Sequence, residues 1–167
     1  MKIRTVTLDD AKSICDIYNY YVEETVVTFE TIAVTETEMK QRIAGILAEG
    51  SPYYVGEING KIVGYCYLHS WNNRCAYSLT KEITIYLDKD QKGKGVGTIL
   101  YQHLFKDIYR SNIHAVIAGI CIPNEESVRL HEKFGLKQAS CMKEIGRKFE
   151  QWLDVGHWLL VVNQNHP

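Results

Sequence analysis

The sequence predicts a mixed α/β domain built on one sheet, and three observations carry that prediction. Two apolar runs within "PYYVGEINGKIVGYCYLHSW" are joined by Asn59-Gly60, a strong short hairpin signal. Several other segments repeat apolar residues at a helical period. The elements then follow as strand, two helices, three-strand meander, helix, strand, helix and two strands, which is not a repeated βαβ array.

Each element has a local reason. Lys2 to Val6 reads as a strand. The helix after it places Leu8, Ala11, Ile14, Cys15, Tyr18, Tyr21 and Val22 on one face, with Thr7 and Asp10 as a capping pair. "TVVTFETIAV" is β-branched and extended, a loop or a short strand. Thr35-x-x-Glu38 is a capping box for a second helix that faces inward through Met39, Ile43, Ile46 and Leu47. After the hairpin, "AYSLTKEITIYLD" is a further antiparallel strand, then come a glycine-rich turn and a helix from Val96 to Tyr109. "HAVIAGICI" is a buried strand. Asn124 caps the helix "EESVRLHEKF", and Gly135 ends it. Strands over 136–145 and 152–162 close the chain.

Length and composition bound the function. The 167 residues fit a single domain with a sizeable core. A formal net charge of -1 gives no basic field for nucleic acid or an anionic membrane. The five cysteines show no CxxC and no zinc-ligand spacing, so no metal is expected. Cys15, Cys66, Cys75, Cys121 and Cys141 read as reduced, three of them inside apolar patterns. No signal-peptide core or membrane-length run occurs, and a cytoplasmic setting is expected.

The most informative stretch is "DKDQKGKGVGTIL", residues 88–100. Glycine lets bare backbone N–H groups approach an anion, and a helix start adds its dipole. Walker A is absent from the chain. The GxGxxG fingerprint fails because Thr98 stands where its last glycine belongs, and because the preceding strand ends a meander. A pyrophosphate-binding turn of the form (Arg/Gln)-x-x-Gly-x-(Gly/Ala) fits over Lys92, Gly93, Lys94, Gly95, Val96 and Gly97, with amides up to Thr98 aimed at the ligand. Lys89 and Lys94 sit at the unfavourable end of the dipole, which makes sense beside a phosphate; simple solvation is the alternative.

With "TVVTFET", "SWNNRCAYSLTKEITIYL", "QKGKGVGTILYQHL", "IPNEESVRLHEKFGL" and "WLDVGHW" in this order, the chain resembles the GCN5-related N-acetyltransferases (GNAT), and within them the phosphinothricin and methionine sulfoximine group. Lys92 departs from the family's usual Arg or Gln. The resemblance implies a GNAT fold: a central, mixed, mostly antiparallel sheet flanked by helices, in which a splayed strand pair holds acetyl-CoA. It implies cofactor contacts from Ile85, Tyr86 and Leu87, from the turn, from Asn124 and from Lys133.

The same resemblance implies the chemistry. Acetyl transfer needs an acceptor amine that has lost its proton, and a thiolate that can leave. Glu82 matches the general base, although a Glu at a strand start is often a solvated edge charge. Seven residues after Asn124, His131 stands where many members carry a Tyr; it is expected as acid, helper of the base, or substrate ligand. Arg74 is expected to meet an α-carboxylate through its bidentate fork, with Phe29 and Tyr77 as walls. Trp158 reads as core. The acceptor expected is a small amino acid of the phosphinothricin or methionine sulfoximine/sulfone kind, and the enzyme a homodimer. Other small amines, a protein N-terminus, or a non-catalytic acyl-CoA-binding role remain the alternatives.

Overall fold

The computed structural model describes residues 1–162. Its elements are β1 (Lys2–Thr5), α1 (Ala11–Glu24), α2 (Glu36–Ala48), β2 (Tyr53–Ile58), β3 (Lys61–Ser70), β4 (Thr80–Leu87), α3 (Val96–Arg110), β5 (Ala115–Ile122), α4 (Glu125–Lys133), β6 (Lys137–Lys148) and β7 (Gln151–Val161). The strands form one sheet in the order β1-β2-β3-β4-β5-β7-β6. Every neighbouring pair is antiparallel except β4 and β5. Among the described residues, no helix is long and apolar enough to cross a membrane.

Helices cover both faces. On one, Ile14, Tyr18, Tyr21 and Val22 of α1 and Ile43 of α2 pack on Tyr53, Val55 and Tyr65. On the other, Leu100, Tyr101, Leu104 and Ile108 of α3 pack on Cys66, Leu68, Ile83 and Val116. Asp10 fixes the start of α1: it accepts two bonds of 2.7 Å from Arg4 and one of 2.8 Å from the Thr7 amide. Leu8 lies ahead of α1 in a single 3-10 turn and is exposed, unlike the expectation for its face. Thr35 caps α2 by accepting from the Glu38 amide at 3.2 Å. Asn59 and Gly60 take φ of 50° and 77°, the left-handed pair that a tight hairpin demands.

Residues 25–34 take the loop alternative, but two strands differ from the sequence reading. β4 begins at Thr80 after a 3-10 turn at Cys75–Tyr77. β6 does not stop at Ile145 but runs to Lys148. It bulges at Glu144 (φ 52°), whose amide is held by Asp154 Oδ1 at 2.9 Å, and then re-pairs at Gly146 opposite Leu153. Gly146 is not a turn residue. The Phe29 ring lies on it so closely that a Cβ there would collide.

The parallel pair decides the architecture. β4 and β5 are in register only over Thr80↔Ala115, Lys81↔Val116 and Glu82↔Ile117. Beyond that, β4 continues on β3 to Leu87↔Gly64, and β5 on β7 to Ile122↔Asp154. The strands therefore part after Glu82. α3 closes over the gap against α4, and Gly97 permits it: a Cβ there would stand 3.1 Å from Leu130 Cδ2. Gly97→Val should overpack this seam and cost roughly 1–3 kcal/mol, read as a lower urea midpoint with an unchanged slope.

Candidate functional site

The turn after β4 divides its glycines by role. Gly93 and Gly95 have φ of 72° and 79°, and nothing lies near where their Cβ atoms would be, so the backbone alone requires glycine there. Gly97 serves packing instead. No side chain caps α3 at Gly95. The first-turn amides of a helix have no intrahelical partner, and the positive end of the dipole lies there.

A cleft of about 420 Å³ opens between this turn, the parted strands and α4. Every residue expected to hold the cofactor lines it except Lys94. Lys94 is exposed and falls outside it. Lys92 does reach the cleft, with Nζ 5.0 Å over the Tyr21 ring, and Lys133 Nζ donates to Thr98 Oγ1 at 3.4 Å. Asn124 caps α4 by accepting from the Ser127 amide at 3.2 Å.

Among the cleft residues that the sequence reading missed, two stand out. Tyr21 donates its hydroxyl to the Leu87 carbonyl at 2.7 Å, tying α1 to the end of β4. Nothing in its helical period marks it apart from a core tyrosine. Arg129 also lines the cleft, four residues before Lys133 on α4; that i,i+4 basic pair was a readable signal.

A second cavity of about 120 Å³ adjoins the first, sharing Asn124, Ser127, Ile85 and Tyr86 with it. Glu82 and His131 both line it, with Gly119 and Cys121. Glu82 stands on the last paired rung of β4 and β5. Its Oε2 lies 3.7 Å from Nε2 of His69, its register partner on β3.

His131 is buried, and both ring nitrogens are engaged. Nδ1 lies 2.7 Å from the Ser127 carbonyl, so Nδ1–H donates there. Nε2 is then left to accept from the Tyr101 hydroxyl at 2.8 Å. Burial pushes its pKa below the ordinary value, partly opposed by the Ser127 bond. The imidazole therefore sits in the site neutral and held.

The residues expected to meet the acceptor are dispersed. Phe29 rests on Gly146, while Arg74 and Tyr77 lie on the exposed β3–β4 loop and line neither cavity. Tyr77 packs edge-on against Trp71 at 5.0 Å. The Arg74 guanidinium has no ion-pair partner among the described residues. Trp158 is core, its indole N–H donating to Glu132.

A buried lysine completes this side. Lys148 Nζ donates to the carbonyls of Thr28 at 2.8 Å and Tyr21 at 3.2 Å. Burial lowers its pKa. It pins the 25–34 loop, and with it Phe29, to the β6–β7 hairpin.

Residues 3–157 match the Acetyltransferase (GNAT) domain family. The chain belongs to the GNAT family. It is an acetyl-CoA-dependent N-acetyltransferase. This GNAT chain is 35% identical over 158 residues to the phosphinothricin N-acetyltransferase of Streptomyces viridochromogenes, covering 95% of this chain and 86% of the relative. It is 30% identical over 168 residues to the L-methionine sulfoximine/L-methionine sulfone acetyltransferase of Salmonella typhimurium, covering 99% and 96%. Its fold matches the GNAT phosphinothricin acetyltransferase of Sinorhizobium meliloti in complex with acetyl-CoA, with TM-score 0.92, 32% identity, and coverage of 96% and 87%.

Two outcomes follow for this GNAT site. His131 has a folded-state pKa below the 6.5 of an ordinary histidine. The unfolded chain binds the proton more readily, so this group's contribution to stability is complete above about pH 6.5 and is lost as pH falls through the folded value. Melting temperature measured from neutral to acid pH should drop across that window, and drop less in His131→Gln. Lys148→Met should cost roughly 1–3 kcal/mol through its lost charged hydrogen bonds. It should also raise the acceptor KM while leaving acetyl-CoA affinity unchanged, as read by urea denaturation and steady-state kinetics.

Proposed function

We propose that this GNAT enzyme acetylates the α-amine of an amino-acid acceptor of the phosphinothricin or methionine sulfoximine/sulfone kind. One observation carries the reading: Glu82 stands where the strands part, in a cavity that shares Ile85, Tyr86, Asn124 and Ser127 with the cleft under the glycine turn. The names of the relatives support the acceptor class.

The residues fit acetyl-CoA. Uncapped amides at the start of α3, with Lys92, Arg129 and Lys133 around them, suit a diphosphate. The unpaired inner edges of β4 and β5 suit an amide-bearing arm. When bound, acetyl-CoA supplies an activated acyl group. Glu82 takes a proton from the acceptor ammonium, leaving a lone pair free to attack. Asn124 borders both cavities and orients the reactants at their junction. Arg74, with its fork free of ion pairs, receives the acceptor carboxylate; Phe29 and Tyr77 flank the side chain. His131 enters as a neutral, hydrogen-bonded wall of the pocket rather than as a proton donor, because both nitrogens are committed.

Acetylation removes the cationic amine, so an amino-acid toxin loses the charge by which it mimics a natural substrate. We place the reaction in the cytoplasm, in a homodimer. The hairpin supports that assembly: Ile145, Phe149 and Trp152 are at least half exposed on it.

Glu82→Gln should leave acetyl-CoA affinity by titration calorimetry intact and lower kcat on L-methionine sulfone by about 100-fold or more. Unchanged thiol release would remove Glu82 from the mechanism. Arg74→Ala should raise KM for amino acids far more than for simple amines; an equal rise for both would withdraw the carboxylate assignment. A thiol-release screen across amino acids, polyamines, aminoglycosides and peptides then ranks the acceptor classes directly.

A further inference from the structure

The base has a neighbour that the reaction so far leaves unused. We propose that His69 carries the acceptor's proton from Glu82 out to solvent. This rests on the reading of Glu82 as the base.

The geometry starts in the sheet. His69 and Glu82 face each other across β3 and β4, so their side chains share one face. His69 Nδ1 lies 3.2 Å from the Ser70 carbonyl. An N–H at Nδ1 donates to that oxygen, which leaves the Nε2 lone pair of the neutral ring toward Glu82. Nε2 and Glu82 Oε2 are 3.7 Å apart, a gap that a small carboxylate rotation closes. The His69 side chain is 31% exposed, so the ring is in reach of water.

Other groups around the pair are committed. The Tyr67 ring lies 5.7 Å from the His69 ring and backs it. Arg42, beyond Tyr67, is paired with Glu30 and Glu38. Lys81 on β4 reaches Ser70 and Ser51 and lies 3.8 Å from Glu49, which itself accepts from the Ser70 amide. His157 on β7 is the other imidazole in the row. It stands across Gly119 from Glu82, and its Nδ1 lies 3.1 Å from Ser140 Oγ.

A relay answers a physical need. Before acceptor and thioester arrive, Glu82 is itself open to water. Once they fill the space in front of it, that route is closed and the proton needs another. The steps balance. An acceptor N–H bond breaks as an O–H bond forms on Glu82; that O–H breaks as Nε2–H forms on His69; Nε2–H then gives its proton to water. Glu82 and His69 both return to their starting states, and nothing is oxidised or reduced.

The test uses acetyl-CoA and L-methionine sulfone with thiol release as readout, on His69→Ala, His69→Gln, His157→Gln and Glu82→Gln. His69→Ala and His69→Gln should each lower kcat by about tenfold or more with little change in either KM. Added imidazole should restore turnover to His69→Ala, steeply as pH rises through the pKa of imidazole, and should not rescue Glu82→Gln. Wild-type kcat in both His69 variants overturns the relay, as does a loss that imidazole cannot restore. A kcat loss in His157→Gln with none in His69→Gln also overturns it. If Glu82→Gln is inactive in any of those cases, the base survives and the relay alone falls. If Glu82→Gln keeps wild-type turnover, the base reading fails, and the relay with it.

Discussion

Three rungs of parallel pairing, and no more, set the whole site. β4 and β5 share hydrogen bonds only as far as Glu82 and Ile117. Each then stays a strand because its outer edge is paired, β4 on β3 and β5 on β7. The inner edges keep backbone donors and acceptors that only something between the strands can satisfy. The gap also lies at the carboxyl ends of two parallel strands, where α/β sheets leave their crevices. The glycine turn follows one of those ends and Asn124 the other. Wedge, glycine turn and cap are thus one feature seen from three sides.

The sheet separates two kinds of environment. One face packs aliphatic and aromatic side chains of α3 and buries His131 against Tyr101, so an ionisable ring is kept neutral by desolvation while two hydrogen bonds hold it in place. The other face carries Tyr65, Tyr67 and His69 of β3 beside Tyr86, Thr84 and Glu82 of β4, and it grows more polar and more open toward Glu82. Glu82 therefore sits on the wetter of the two faces, partly open to solvent, while His131 sits sealed on the other.

What was legible in the sequence is what neighbouring residues dictate. Asn59-Gly60, Thr35-x-x-Glu38 and the glycines at 93 and 95 answer local backbone demands, and each stands where it was read. The order of elements and the sheet class followed from periodicity. The features that were not legible share a different cause. Gly146 looks like a turn because its reason, the Phe29 ring, is far away in the chain. Lys148 looks like a surface lysine because the carbonyls it serves lie in another segment. His131 was read by position, and the Tyr101 hydroxyl that fixes its tautomer carries no signal at that distance. His69 becomes visible only through strand register. Arg129 was available on its helix face and was overlooked.

Lys148 carries a consequence for how the molecule is made. Its ammonium closes a link to Thr28 across 120 positions of chain. During synthesis from the N-terminus, the early loop emerges long before its anchor, and the ribosome must release the final hairpin before that loop can settle. The 25–34 loop is therefore settled late, and a nascent chain lacking β6 and β7 leaves Phe29 without the hairpin it rests on.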